Sequence, residues 1–204
     1  MLDLNKTEPQ FFIDYKSNDK NYKKNPNNYL KCGFAIKQKL RQSILEEQKG
    51  QCFYCEKKIE NDTEKIHIDH IKQRACFHNL ECEYKNMVVS CNGNGGNHCG
   101  KYKDNQEKWD DTKFIKLIPE NSQLSEKPSA FFKYVGNGKI KPKKKLTDDK
   151  KERAENTIKY LNLNFPDLVN ARKIILYQID IYKQQGFNIK TILALYREFE
   201  SVFK

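Results

Sequence analysis

Lys65-Ile66-His67-Ile68-Asp69-His70-Ile71 alternates apolar and polar residues as a half-buried strand does, and its far end presents a carboxylate beside an imidazole. Asn86-Met87-Val88-Val89-Ser90-Cys91 is a second short β-like run, and the polar segment after Cys99 fits a short helix. The local order is therefore strand, strand, helix. Two cysteine pairs frame it: Cys52-Phe53-Tyr54-Cys55 before, Cys91 and Cys99 after. Two thiolates on a tight turn can both reach one tetrahedral ion about 2.3 Å away. Cys52, Cys55, Cys91 and Cys99 are thus read as ligands of a structural Zn²⁺, with free buried thiols as the alternative. Seven residues separate Cys91 from Cys99, and the insert Asn92-Gly93-Asn94-Gly95-Gly96-Asn97 can loop out between them. Cys32 reads as a small buried hydrophobe, while Cys76 or Cys82 could replace one of the four.

Upstream, 25–28 is turn-rich. Residues 29–48 then carry Leu30, Phe34, Ile36, Leu40, Ile44 and Leu45 near helical spacing until Gly50 stops them. Downstream, 114–119 and 131–135 read as strands, and Gly136-Asn137-Gly138 before Lys139-Ile140 is a hairpin signal. The run Lys141 to Lys145 marks a boundary. After Thr147-Asp148-Asp149, helices are expected over 150–163, 166–185 and 188–203. Leu168, Ala171, Ile175 and Tyr182 share a face of the second, and Ile192, Leu195, Phe199 and Val202 a face of the third. The chain reads as α+β, divided into an N-terminal helical segment (1–49), a zinc-stabilised core (50–112), a β-hairpin region (113–145) and a C-terminal helical region (146–204).

Among the 204 residues, 38 Lys and Arg against 27 Asp and Glu give a formal charge of +11, which favours an anionic partner such as nucleic acid. A solvated surface is the plainer account of the same charge. The N-terminus lacks a basic-then-apolar leader and no window approaches a membrane span, so a cytoplasmic location without membrane attachment is expected. In that reducing setting metal ligation is a better reading of the cysteines than disulfides. The glycine-rich insert is not a phosphate loop, because it lacks the Gly-Lys-Ser/Thr ending.

Ile68-Asp69-His70-Ile71, Asn86-Met87-Val88-Val89-Ser90-Cys91 and Cys99-Gly100-Lys101-Tyr102-Lys103 together resemble the HNH endonucleases, which have a ββα-metal fold. Gly50-Gln51-Cys52-Phe53-Tyr54-Cys55-Glu56, Cys91-Asn92-Gly93 with His98-Cys99-Gly100, and Ala154 through Asn164 extend the likeness to PtuB, the nuclease subunit of Septu and retron-associated anti-phage systems. The resemblance implies that His70 is the general base and that Asp69 holds a catalytic Mg²⁺ or Mn²⁺. Asn86 would fix the orientation of His70. Gly100 stands where the family often has a second metal ligand, a role His98 or Asp104 could take, with a zinc ligand or a solvent-exposed residue as the other readings of His98. Lys101 and Lys103 would suit phosphate contacts, or else lie on a solvated helix face. An ATPase of the ABC or SMC-like type is the implied partner, and DNA the implied substrate, with RNA such as tRNA as the other. The rival reading is a non-catalytic zinc module that binds nucleic acid or a protein.

Overall fold

The computed structural model describes residues 1–118 and 126–188. Helices α1 (Gln10–Asn18), α2 (Lys20–Lys24) and α3 (Phe34–Glu47) lead into strands β1 (Ile66–His70) and β2 (Met87–Cys91). A nominal turn α4 (Gly93–Gly96) and helix α5 (Cys99–Asp104) follow. Then come α6 (Pro128–Phe131), β3 (Phe132–Tyr134), β4 (Ile140–Pro142), α7 (Asp148–Tyr160) and α8 (Pro166–Gln184). The described residues form a mixed α and β fold with two small antiparallel sheets.

The expected first helix is split. Tyr29–Lys31 forms a single 3₁₀ turn, Cys32 is extended, and α3 starts after Gly33. Its apolar stripe buries Leu40, Ile44 and Leu45, while Leu30 and Phe34 stay exposed. Lys49 (φ 55°) and Gly50 (φ 71°) end it in the left-handed region, with the Gly50 amide returning to the Leu45 carbonyl. Gln48 then acts as a strand surrogate. Its amide donates to the carbonyls of Gln51 (2.7 Å) and Val89 (2.8 Å) and accepts the Val89 amide (2.7 Å). This ties the end of α3 and the Cys52 turn to the edge of β2.

β1 and β2 pair antiparallel with Ile66 opposite Cys91 and His70 opposite Met87. Period-two alternation gives the sheet two occupied faces. Ile66, Met87 and Val89 pack with Phe12, Leu40, Ile44 and Leu45 in one hydrophobic cluster. Val88, on the opposite face, joins a second cluster that includes Phe53, Trp109, Phe114, Phe132, Ile158 and Leu168, and Cys91 at the end of β2 also belongs to that cluster. Cys32 and Cys82 lie in the first cluster, and Cys76 is exposed.

Residues 114–118 do not form the expected strand, and Pro119 lies outside the described residues. Phe114, Ile115 and Leu117 instead drop singly into the core, with the Ile115 amide held by Thr157 Oγ1 (3.1 Å). The hairpin forms, with Gly138 at φ 78°. Leu168, Ile175 and Ile179 are buried on α8. The helix expected at 188–203, with Ile192, Leu195, Phe199 and Val202, lies outside the described residues apart from Asn188. Among the described residues no helix is long and apolar enough to cross a membrane.

Candidate metal centre and catalytic site

The ligand atoms of Cys52, Cys55, Cys91 and Cys99 all lie within 4.8 Å of one another. Cys52 to Cys99 and Cys55 to Cys91 are each 3.9 Å, Sγ to Sγ. Four sulfurs at about 2.3 Å from a tetrahedral ion stand at this order of separation, so the set fits Zn²⁺. Local backbone geometry serves the cluster. Glu56, directly after the first pair, takes φ 63°, and its amide closes the turn onto the Cys52 carbonyl (2.9 Å). Cys99 itself takes φ 62°, a left-handed conformation that a non-glycine residue holds only when its surroundings demand it. The Cys91 amide points at Cys52 Sγ (3.4 Å). Neither Cys76 nor Cys82 joins this group.

His98 sits with the sulfurs, its Nδ1 3.0 Å from Cys99 Sγ and its ring against Phe165. The expected place for it, as a ligand beside Asp69, is therefore corrected: its nitrogen faces the thiolate cluster. A groove of about 790 Å³ passes over this side, lined by Lys57, Lys65, Asn92, His98 and Asp167 among others.

Asp69 points from β1 toward α5. Its Oδ2 accepts from the Tyr54 hydroxyl (2.5 Å), and its Oδ1 lies 3.4 Å from Lys103 Nζ. Tyr54 stands between the two cysteines of the first pair, so the sulfur turn also holds the carboxylate. Burial, then the Asp69 charge, pushes the Tyr54 phenol well above its usual range. A carboxylate offers about four acceptor positions. Two donors leave room for a hard cation, and Asp69 fits one. Lys103 overturns the expectation of a phosphate contact: it is fully buried, donating to the His70 carbonyl (2.9 Å) and to Asp104 Oδ1 (2.5 Å). Residues two apart on a helix lie about 200° apart, so with α5 packed on β1 Lys101 takes the solvent and Lys103 the interior. Asp104, half-exposed, has its carboxyl pushed up by burial and by the Asp69 charge.

Gly100 explains how α5 comes so close. A Cβ there would meet Asp69 Cγ at 2.8 Å, and Asp69 Oδ2 and His67 Nε2 at 3.0 Å. Its place is set by packing.

His70 points to the other face. Its Nε2 is 2.8 Å from the Glu81 carbonyl, and the Tyr29 ring stands edge-on to it at 5.0 Å. A carbonyl only accepts, so Nε2 carries the proton and Nδ1 keeps the lone pair. Burial lowers the His70 pKa to about 4, so the ring is neutral at pH 7 and its lone pair is less basic than that of a free imidazole. Asn86 acts through the loop that carries this carbonyl: it accepts from the Lys72 amide (2.8 Å) and donates to the carbonyls of Lys72 and Leu80.

No family model matches the chain. It is 28% identical, over 209 residues, to an Escherichia coli protein named "Retron Ec83 putative HNH endonuclease", covering 88% of this chain and 81% of that protein. The chain is similar to this retron protein over most of its length.

The strand's period also marks a residue that the sequence reading passed over. His67 lies two positions before Asp69 and so shares its face.

Proposed function

We propose that this protein is a metal-dependent HNH endonuclease with a zinc-stabilised ββα-metal core that cleaves DNA as the effector of an anti-phage system, together with an ATPase of the ABC or SMC-like type. The observation that carries this reading is the neutral His70, fixed by the Glu81 carbonyl so that Nδ1 is the free base. A water oxygen attacks phosphorus, its proton passes to Nδ1, and the bond to the leaving oxygen breaks. A Mg²⁺ or Mn²⁺ held through Asp69 supplies positive charge to the phosphate and leaving oxygens. Asn86 keeps in place the loop whose Glu81 carbonyl orients the base, and Tyr54 holds the carboxylate. The partner and the phage-defence role rest on the resemblance to PtuB, and the substrate on the basic charge and the nuclease similarity. His70 is only 4% exposed and the Tyr29 ring packs against it, so access to the base is narrow. This supports a low activity of the chain on its own.

The test incubates wild type and His70→Ala, each with and without the ATPase, with plasmid DNA and with RNA in Mg²⁺ or Mn²⁺. Cleavage by the variant should fall roughly 10²- to 10⁴-fold, with zinc content and melting temperature retained. Equal cutting by both proteins overturns His70 as the base, and no cutting under any combination overturns the nuclease reading in favour of a non-catalytic zinc module. RNA cut in preference to DNA overturns the substrate.

A further inference from the structure

His67 Nδ1 is 2.9 Å from Asn92 Oδ1, and the other end of that amide donates to the Glu64 carbonyl, which fixes the amide's orientation. An amide oxygen only accepts, so Nδ1 carries the proton and Nε2 the lone pair. Among the described residues that Nε2 is sealed from solvent and has no hydrogen-bond partner. It lies at the same point on α5 as the Asp69 carboxylate, since both come to 3.0 Å from where a Gly100 Cβ would stand. An orphaned imidazole nitrogen beside a carboxylate, with the opposite nitrogen tied to a carbonyl-type oxygen, is the arrangement of a metal-ligating histidine.

We infer that His67 Nε2, with Asp69, holds the divalent ion, and that this imidazole from β1 supplies the ligand which the backbone of α5 does not carry at Gly100. The inference rests on the nuclease reading for the ion's purpose and on the strand geometry for the ligand. An imidazole donor shifts preference away from Mg²⁺ toward more nitrogen-tolerant ions, so Mn²⁺ should bind more tightly than Mg²⁺.

The experiment uses the full zinc-loaded chain and Mn²⁺ as the probe, read by electron paramagnetic resonance with nitrogen-modulation detection and by calorimetry. Wild-type protein should show modulation from a coordinated imidazole nitrogen. His67→Gln should lose it and bind Mn²⁺ about tenfold or more weakly, as should Asp69→Asn. The wild-type spectrum decides even where the variant does not fold. Asp69-dependent Mn²⁺ binding without nitrogen modulation, or with an affinity unchanged in a folded His67→Gln, overturns the inference; so does a wild type that binds no Mn²⁺. Loss of cleavage in His70→Ala would leave the nuclease reading standing in any of these cases, whereas failure of that cleavage test falls on the nuclease reading alone.

Discussion

Removing the zinc should unfold this protein's larger core. A structural zinc contributes on the order of 10 kcal/mol to the folding of small metal domains, comparable with the whole stability of an ordinary domain, about 5–15 kcal/mol. Cys52, Cys55 and Cys99 are fully buried, and they share a cluster with Phe53, Trp109, Phe132 and Leu163. Without a cation, buried sulfurs at 3.9 Å are either repelling thiolates or protonated thiols without strong partners, and Cys99 loses the reason for its left-handed backbone. Chelation should therefore abolish the cooperative thermal transition or lower it by tens of degrees, at about 2–4 °C per kcal/mol for a chain of this size. Cys52→Ser should purify with less than about half an equivalent of zinc. The catalytic side should fail with the fold, because Tyr54, between the ligands, holds Asp69. A zinc-free protein that melts within a few degrees of the loaded one would exclude a structural role for the ion.

Lys103→Met is the second large effect, and it separates the interior from the surface of one short helix. The Lys103 ammonium is completely buried and meets Asp69, Asp104 and the His70 carbonyl. Taking one partner out of a buried ion pair leaves the other charged in a poorly solvating interior, at a cost of about 3–5 kcal/mol. Methionine keeps most of the volume, so the loss reports charge. Lys101→Ala, two residues away on the exposed side, should stay within about 0.5 kcal/mol. Asp69→Asn combined with Lys103→Met should recover part of the loss, since the stranded charge is then gone. Urea titrations of the four proteins would measure this. Equal stability of the Lys103 and Lys101 variants would mean that the buried ammonium is not what neutralises Asp69.

Much of this was readable from the chain because strong local signals agreed with tertiary demand. Alternation over 65–71 located β1, the Cys-x-x-Cys turn located one half of the metal centre, and Gly136-Asn137-Gly138 located the hairpin. What escaped was decided by packing between distant elements. The helix expected to run from Tyr29 is interrupted at Cys32-Gly33, and the Tyr29 ring reaches the face of His70. Phe114 and Ile115 have a strand's composition, but Thr157 of α7 takes the Ile115 amide that a neighbouring strand would need. Lys103 looks like a phosphate contact because lysines are usually exposed, and only the approach of α5 to β1 turns it inward. His67 could have been found from period two alone, as it shares a face with Asp69. His98 drew attention through its nearness in sequence to Cys99, and its nitrogen does face that sulfur.

Position 100 has no room to change by itself. A side chain there would overlap both the Asp69 carboxylate and His67 Nε2, so replacing the imidazole alone would not open the space. Any larger residue at 100 must come with a shift of α5 or of the carboxylate, which makes this glycine a condition on where the acidic group of β1 stands.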